Sequence, residues 1–235
     1  MQLKIFGVVV GGYDTTSTAL CWAVKLLADN QGAQNKIRNT LRAAYLNAVA
    51  EGRAPTATEI VETPIPYIDA SVEEIIRHSL TQPSVLRITT QDVDVLGHTI
   101  PKGTTILMMG NGPSFMTPGL EVDEDLRSPT SRTANNRIGA WDPKDIHLFK
   151  PERWLIEEDD KIVFNPSAGP HLTFGLGVRG CFGRKLATLQ MKIAVTLIVW
   201  NFIIQKVPDE LGGYAAHDAL THLPQQCYLR LAPVA

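Results

Sequence analysis

Net charge is nearly absent from this chain: 22 Lys and Arg against 24 Asp and Glu leave −2 over 235 residues. There is therefore no basic footprint for nucleic acid, and none is expected as a partner. Cysteine is scarce too. Cys21, Cys181 and Cys227 are odd in number and far apart, which argues against a disulfide framework or a zinc cluster and fits a reducing compartment or a cytosolic face. Long apolar runs are missing as well. The first, Ile5 to Gly12, is too short to span a bilayer and has no convincing signal-peptide cleavage site before Asp14 and Thr15. The sequence has no internal repeat. What remains is length enough for a sizeable core in one domain or two small ones.

The stretch that stands out is Phe174-Gly175-Leu176-Gly177-Val178-Arg179-Gly180-Cys181-Phe182-Gly183, followed at once by a helix-patterned apolar run from Lys185 to Phe202. It reads as a tight loop feeding a helix. Glycines are used where the backbone needs positive φ or approaches something closely, so a flat ligand against the main chain is expected. Cys181, just before a helix start, sits where free N–H groups favour a thiolate, and Arg179 suits an anionic group on the same ligand. Two plainer readings compete. Gly175-x-Gly177-x-x-Gly180 also fits a dinucleotide fingerprint, but no strand precedes it and Trp200-Asn201 stands where an acid is needed. A phosphate loop would end in Gly-Lys-Ser or Gly-Lys-Thr, and Gly180-Cys181-Phe182 does not. Taken whole, the stretch resembles the haem-ligand signature of the haem-thiolate monooxygenases called cytochromes P450, Phe-Gly-x-Gly-x-Arg-x-Cys-x-Gly, at every fixed position. The resemblance implies that Cys181 is the axial ligand of haem iron, with Phe174, Arg179 and Gly183 part of the cofactor-binding loop.

Residues 5 to 28 have helical apolar spacing interrupted by Val10-Gly11-Gly12-Tyr13-Asp14-Thr15-Thr16-Ser17-Thr18. Two interior glycines cost roughly 1 kcal/mol each against alanine, so this centre either serves a purpose or is a loop joining a short strand to a helix from Thr15. It resembles the oxygen-binding groove of the family's central helix. That implies a catalytic pair, with Thr15 positioning the oxygen or a water and Asp14 relaying protons to it.

Residues 32 to 50 are expected to form one amphipathic surface helix with Ile37, Leu41, Ala44, Tyr45 and Ala48 on a single face. Thr56 to Glu59 fits a capping box. In the next helix, Tyr67 to Leu80, Glu74 and Arg77 lie three apart, usually the mark of a surface ion pair. The pair also resembles the family's Glu-x-x-Arg helix, whose third member falls on Arg153 in Phe149-Lys150-Pro151-Glu152-Arg153-Trp154; the resemblance implies a buried network behind the haem loop.

After Pro83, short strands at 85–88, 93–96 and 105–109, with turns at Gly97-His98 and Pro101-Lys102-Gly103, predict a small antiparallel sheet. By resemblance Arg87 pairs with a haem propionate, His171 is a second candidate, and Ser84, Val85 and Leu86 face substrate. Residues 110 to 148, with acids from Glu121 to Asp125 and arginines at 127, 132 and 137, read as a solvated excursion; with Trp141-Asp142-Pro143 they look like filamentous-fungal biosynthetic members. At the end, a Pro224 turn and an alternating strand from Gln226 to Leu231 resemble the family's C-terminal hairpin, with Leu220 and Thr221 near substrate. Cys227 reads as a packed thiol.

The expected fold is thus mainly α with small antiparallel β-sheets, and the match covers the C-terminal half of a usual member. The membrane anchor, the early Trp-x-x-x-Arg helix and the helices that roof the pocket are not in this sequence. Membrane association is expected for the family, with location in the cytoplasm or on the cytosolic face of the endoplasmic reticulum. The implied activity is insertion of one oxygen atom of dioxygen into an apolar small molecule. It uses haem b and electrons from NADPH through NADPH-cytochrome P450 reductase. A haem-thiolate isomerase or dehydratase is an alternative that the Asp14-Thr15 pair disfavours. A truncated remnant without activity of its own is another.

Overall fold

The computed structural model describes residues 2–135, 138–219 and 221–234. Helix α1 (Gln2–Asp29) runs unbroken through the predicted groove. Its hydroxyls bond back within the ladder, Thr15 Oγ1 donating to Gly11 O at 2.5 Å and Ser17 Oγ to Asp14 O at 3.0 Å, so the small polar residues are absorbed without ending the helix. Its second half, with Trp22, Ala23, Leu26 and Leu27, is buried.

The stretch expected to be one surface helix is two, α2 (Gln31–Ala44) and α3 (Leu46–Ala50). Tyr45 breaks between them and turns its ring to the edge of Trp200, 6.2 Å away. Ile37, Leu41, Tyr45 and Ala48 are buried as predicted, whereas Ala44, just before the break, is exposed. The capping box opens α4 (Ala57–Glu62): Thr56 Oγ1 accepts from the Glu59 amide at 3.2 Å and Glu59 Oε2 accepts from the Thr56 amide at 2.7 Å. Thr56→Ala is expected to cost about 1 kcal/mol, read as a lower urea midpoint with an unchanged slope; an unmoved midpoint would mean that the cap adds nothing.

Helix α5 (Pro66–Ser79) begins with a proline where its missing N–H is harmless and stops at Leu80, which takes a left-handed φ of 44°. It is the central element, buried almost throughout between α1, the proximal helix α7 (Arg184–Asn201) and a 3-10 turn at Pro151–Trp154. One apolar core joins Leu27, Ile37, Leu41, Ile68, Ile75, Val195 and Val199 across these helices.

The predicted three-stranded sheet is two separate ribbons. β1 (Ser84–Ile88) pairs with β4 (Thr105–Met109), and β2 (Val93–Val95) pairs with β3 (His98–Ile100). His98 is therefore a strand residue. The turn is Leu96-Gly97, both at positive φ, the geometry that joins two-residue hairpins. After the short helix α6 (Pro129–Asn135), β5 (Leu155–Glu158) pairs with β6 (Lys161–Phe164). The C-terminal hairpin also differs from expectation. β8 (Ala216–Asp218) pairs with β9 (His222–Pro224), so Pro224 ends a strand, and the last strand is β10 (Arg230–Pro233), paired with β7 (Phe202–Gln205) directly after α7. Leu220 and Arg137 lie outside the described residues.

The excursion is solvated in its middle but anchored at both ends. Phe115 O accepts from Arg77 Nη1 at 3.0 Å, and Trp141 and Ile146 are buried with Trp154 in a second apolar cluster. Among the described residues, no helix is long and apolar enough to cross a membrane.

Candidate functional site

Glu74, on α5, is a fully buried acid. Its side chain is 0% exposed and that of Arg77 1%, which rules out the surface-pair reading. Arg77 grips it with two bonds, Nε to Oε2 and Nη2 to Oε1, both 2.9 Å. Arg153 Nε reaches Oε1 at 3.1 Å, so the three residues meet as expected. Two further donors were not anticipated: Trp154 Nε1 donates to Oε2 at 2.8 Å and the Lys150 amide to Oε1 at 2.9 Å. Burial alone would push the Glu74 carboxyl up, but hydrogen bonds from Arg77 and His78, with their charge, hold it well below the usual carboxylate range. Arg153 also bonds Asp145 Oδ1 at 2.9 Å. One acid of α5 thereby fastens the 145–154 segment to the core.

That segment positions the cysteine loop. Trp141 packs edge-on to Trp154 at 4.9 Å and donates to Pro170 O at 2.8 Å. A Cβ on Gly169 would lie 2.4 Å from the Trp141 ring, so only glycine fits there. The loop then closes on itself: Gly175 N donates to Leu172 O at 2.8 Å and Cys181 N to Phe174 O at 2.7 Å. Gly175 and Gly177 take positive φ, 62° and 65°, which side chains would strain. The product is an exposed Cys181 thiol three residues before α7 begins, ringed in sequence by exposed Leu176, Val178, Phe182 and Leu186 and by the exposed cation Arg179. Gly183 is the residue immediately before α7.

On α1, a Cβ at Gly11 or Gly12 would meet no described atom of the chain within 4 Å, so the pair leaves an open face. Next to it, Asp14 Oδ2 accepts from Thr221 Oγ1 at 3.0 Å, and buried Thr18 shares the same hydroxyl at 3.1 Å. Asp14 can only accept as a carboxylate, so Thr221 donates to it and takes its own bond from Thr18. An open recess of about 400 Å³ lies here, lined by Val9, Tyr13, Asp14, His217, Thr221 and Leu223 among others. Thr221 is thus beside the acid as well as on the recess wall. Arg87 is half-buried on β1, and its guanidinium donates to Leu86 O at 2.8 Å. His171 is set apart from it: its ring is largely buried, edge-on to Trp154 at 5.5 Å, with Nε2 3.6 Å from Glu73 Oε2.

Sequence patterning missed Glu73, Trp154 and Gln34 as structural polar anchors. Neither Glu73 nor Gln34 had a local signal, since Glu73 shares α5 with Asp69, Glu74 and Arg77 and its burial shows only in the fold.

With this geometry in hand, comparison with known proteins is direct. The family model described as Cytochrome P450 matches residues 1–112 and 144–212. The chain belongs to the cytochrome P450 family. It is 42% identical to the cytochrome P450 monooxygenase TRI13 of Fusarium sporotrichioides, over all of this chain and 42% of that protein. It is 38% identical to the Hps1-dma1 cluster cytochrome P450 monooxygenase cyp3.1 of Dothistroma septosporum, over 97% of this chain and 77% of that one. A crystallised cytochrome P450, CYP102L1, superposes with a TM-score of 0.68 at 22% identity, covering 98% of this chain and 45% of its own. The chain therefore has the cytochrome P450 fold over the part it spans, which is about two fifths of the length of the TRI13 protein.

The residues present fit haem. An exposed soft thiol, uncovered apolar side chains around it, an arginine for an anionic edge and a glycine face without Cβ atoms are the donor set and the surface that a flat, largely apolar macrocycle needs.

Proposed function

We propose that this chain is the haem-thiolate part of a monooxygenase that inserts one oxygen atom of dioxygen into an apolar small molecule in fungal secondary metabolism. Electrons come from NADPH through a cytochrome P450 reductase. The observation that carries the proposal is the exposed Cys181 thiol at the end of a closed glycine loop, anchored through Trp141 and Trp154 to the Glu74 network. The names of the fungal relatives support the reaction class and the setting.

Cys181 Sγ would ligate the iron, and Arg179 and Arg87 would hold propionates by charge. Bound haem supplies the oxygen and electron chemistry, favoured by thiolate donation. The chain's own part is proton handling. Asp14, oriented by the Thr221 hydroxyl that donates to its Oδ2, stands at the recess wall as the group that would relay protons. Thr15 Oγ1, now bonded to Gly11 O, can turn to a molecule in the groove. Leu223 and Val9 give the recess apolar walls. Thr15→Ala is expected to keep haem while diverting reducing equivalents to peroxide; unchanged product per electron would remove the role from Thr15.

The test is the spectrum of the haem-supplied, dithionite-reduced protein with carbon monoxide. A long-wavelength Soret band that Cys181→Ala abolishes supports the proposal. A band typical of histidine ligation, or one that survives Cys181→Ala, would sink it.

A further inference from the structure

Next to Glu74, a second buried acid of α5 has no part in that network. Glu73 has a side chain 5% exposed, and its Oε2 is buried without a hydrogen-bond partner among the described residues. Buried polar atoms are rarely left in that state, and each one calls for an explanation. Its neighbours supply one. His171 Nε2 lies 3.6 Å from Glu73 Oε2, and Arg184 Nη2 lies 3.5 Å from Oε1. His171 precedes the Cys181 loop and Arg184 follows it as the first residue of α7. One carboxyl therefore stands between the two ends of the loop. Thr173 adds a nearby tie to the same helix, its hydroxyl donating to Ile76 O at 3.3 Å.

We propose that Glu73 is a positioning residue that clasps both flanks of the Cys181 loop, His171 on one side and Arg184 on the other, and so fixes where the thiol is presented. This rests on the haem-thiolate reading for its consequence, though not for the clasp itself. The division of labour is physical: Glu74 ties the 145–154 segment to α5, and Glu73 ties the loop. Burial lowers His171 to about 4, with the Arg184 and Arg77 charges acting in the same direction. The imidazole is therefore neutral at physiological pH and offers one donor and one acceptor. Burial also raises Glu73 against the opposing pull of Arg184. A neutral ring against a reluctant carboxylate can close its gap by a small side-chain rotation without bringing a full charge pair out of water. Arg184, which is only partly buried and also stacks over Phe174 at 5.5 Å, holds the other side.

The test is backbone amide hydrogen exchange on the full chain, comparing the parent with Glu73→Ala and with His171→Phe. The second variant keeps an aromatic ring, a slightly larger one, against Trp154 and removes the nitrogens. Loop amides closed in the parent, those of Gly175, Gly180 and Cys181, should exchange about tenfold faster in His171→Phe, which loses one contact to the carboxyl, and at least that much faster in Glu73→Ala, which loses both. Amides in α2 should not change. Parental loop rates in either variant, or an equal acceleration in α2 and the loop in both, would overturn the clasp. A parallel carbon monoxide spectrum separates the two ideas. A parent without a thiolate band defeats the functional reading while the exchange result stands. A parent with the band, and a smaller thiolate fraction in both variants, carries the clasp through to the iron.

Discussion

Glu74→Ala is expected to cost about 3 to 5 kcal/mol and to give protein that no longer takes up haem. The size follows from what is stranded. Arg77, 1% exposed, loses both of its bonds to the carboxylate and keeps its charge in the core. Trp154 Nε1 and the Lys150 amide lose their acceptor in the same step. Because Trp154 supports Trp141 and Trp141 holds Pro170, the damage passes to the cysteine loop. Urea denaturation reads the loss directly, and a cost below about 1 kcal/mol, the range of an exposed ion pair, would contradict the buried network. The same acid sets a pH signature. Its carboxyl is held below the ordinary 4.5 in the folded protein, so the unfolded chain takes up the proton first. The stabilisation is fully present above about 4.5 and is lost as pH falls from there towards the native value. Glu74→Gln, if it folds, should flatten that part of the stability profile. A slope there equal to the parent's would show that other carboxylates govern acid unfolding.

Legibility in the sequence tracked how local the cause was. The Cys181 loop could be read because its chemistry needs glycines and a thiol at fixed spacing, and the structure closes it with bonds inside that span. The Thr56 box was legible for the same reason. Burial of Glu74 was legible through the family resemblance and not through local pattern, since an i, i+3 Glu-Arg pair is written identically on a surface helix; what buries it is Trp154 and Arg153, distant in the chain. Trp141 looked solvated among polar neighbours, yet its ring is covered by Trp154. The strand errors share one origin. Leu96 at φ 50° hides a hairpin turn behind a residue that ordinarily avoids it, and pairing of β10 with β7 is a long-range event that no turn residue announces. The contacts of His171 with Glu73 and Trp154 are equally long-range, and no residue near it in the chain announces them.

Gln34→Leu tests the other buried polar anchor, and the expected loss is about 2 to 4 kcal/mol, from two stranded backbone groups at about 1 to 2 kcal/mol each. Gln34 is fully buried. Its Nε2 donates to Leu27 O and to Ile204 O, and its Oε1 accepts from Ile204 N, all at 2.9 Å. One side-chain amide thus pairs with the edge of β7 as a neighbouring strand would, joining it to the end of α1. Leucine fills the site with an apolar side chain and offers neither donor nor acceptor. Gln31 still reaches Ile204 O at 2.8 Å, so the stranded groups are Ile204 N–H and Leu27 C=O. The Ile204 amide should lose its exchange protection first. Its place in the chain predicts a different outcome from Glu74→Ala: β7 follows the C-terminal end of α7, whereas the Cys181 loop enters at the N-terminal end. Gln34→Leu should therefore lower the urea midpoint while leaving haem uptake and the thiolate band intact. If the band is lost along with the stability, the core and the loop unfold as one unit, and the separate anchoring of the loop through α5 is wrong.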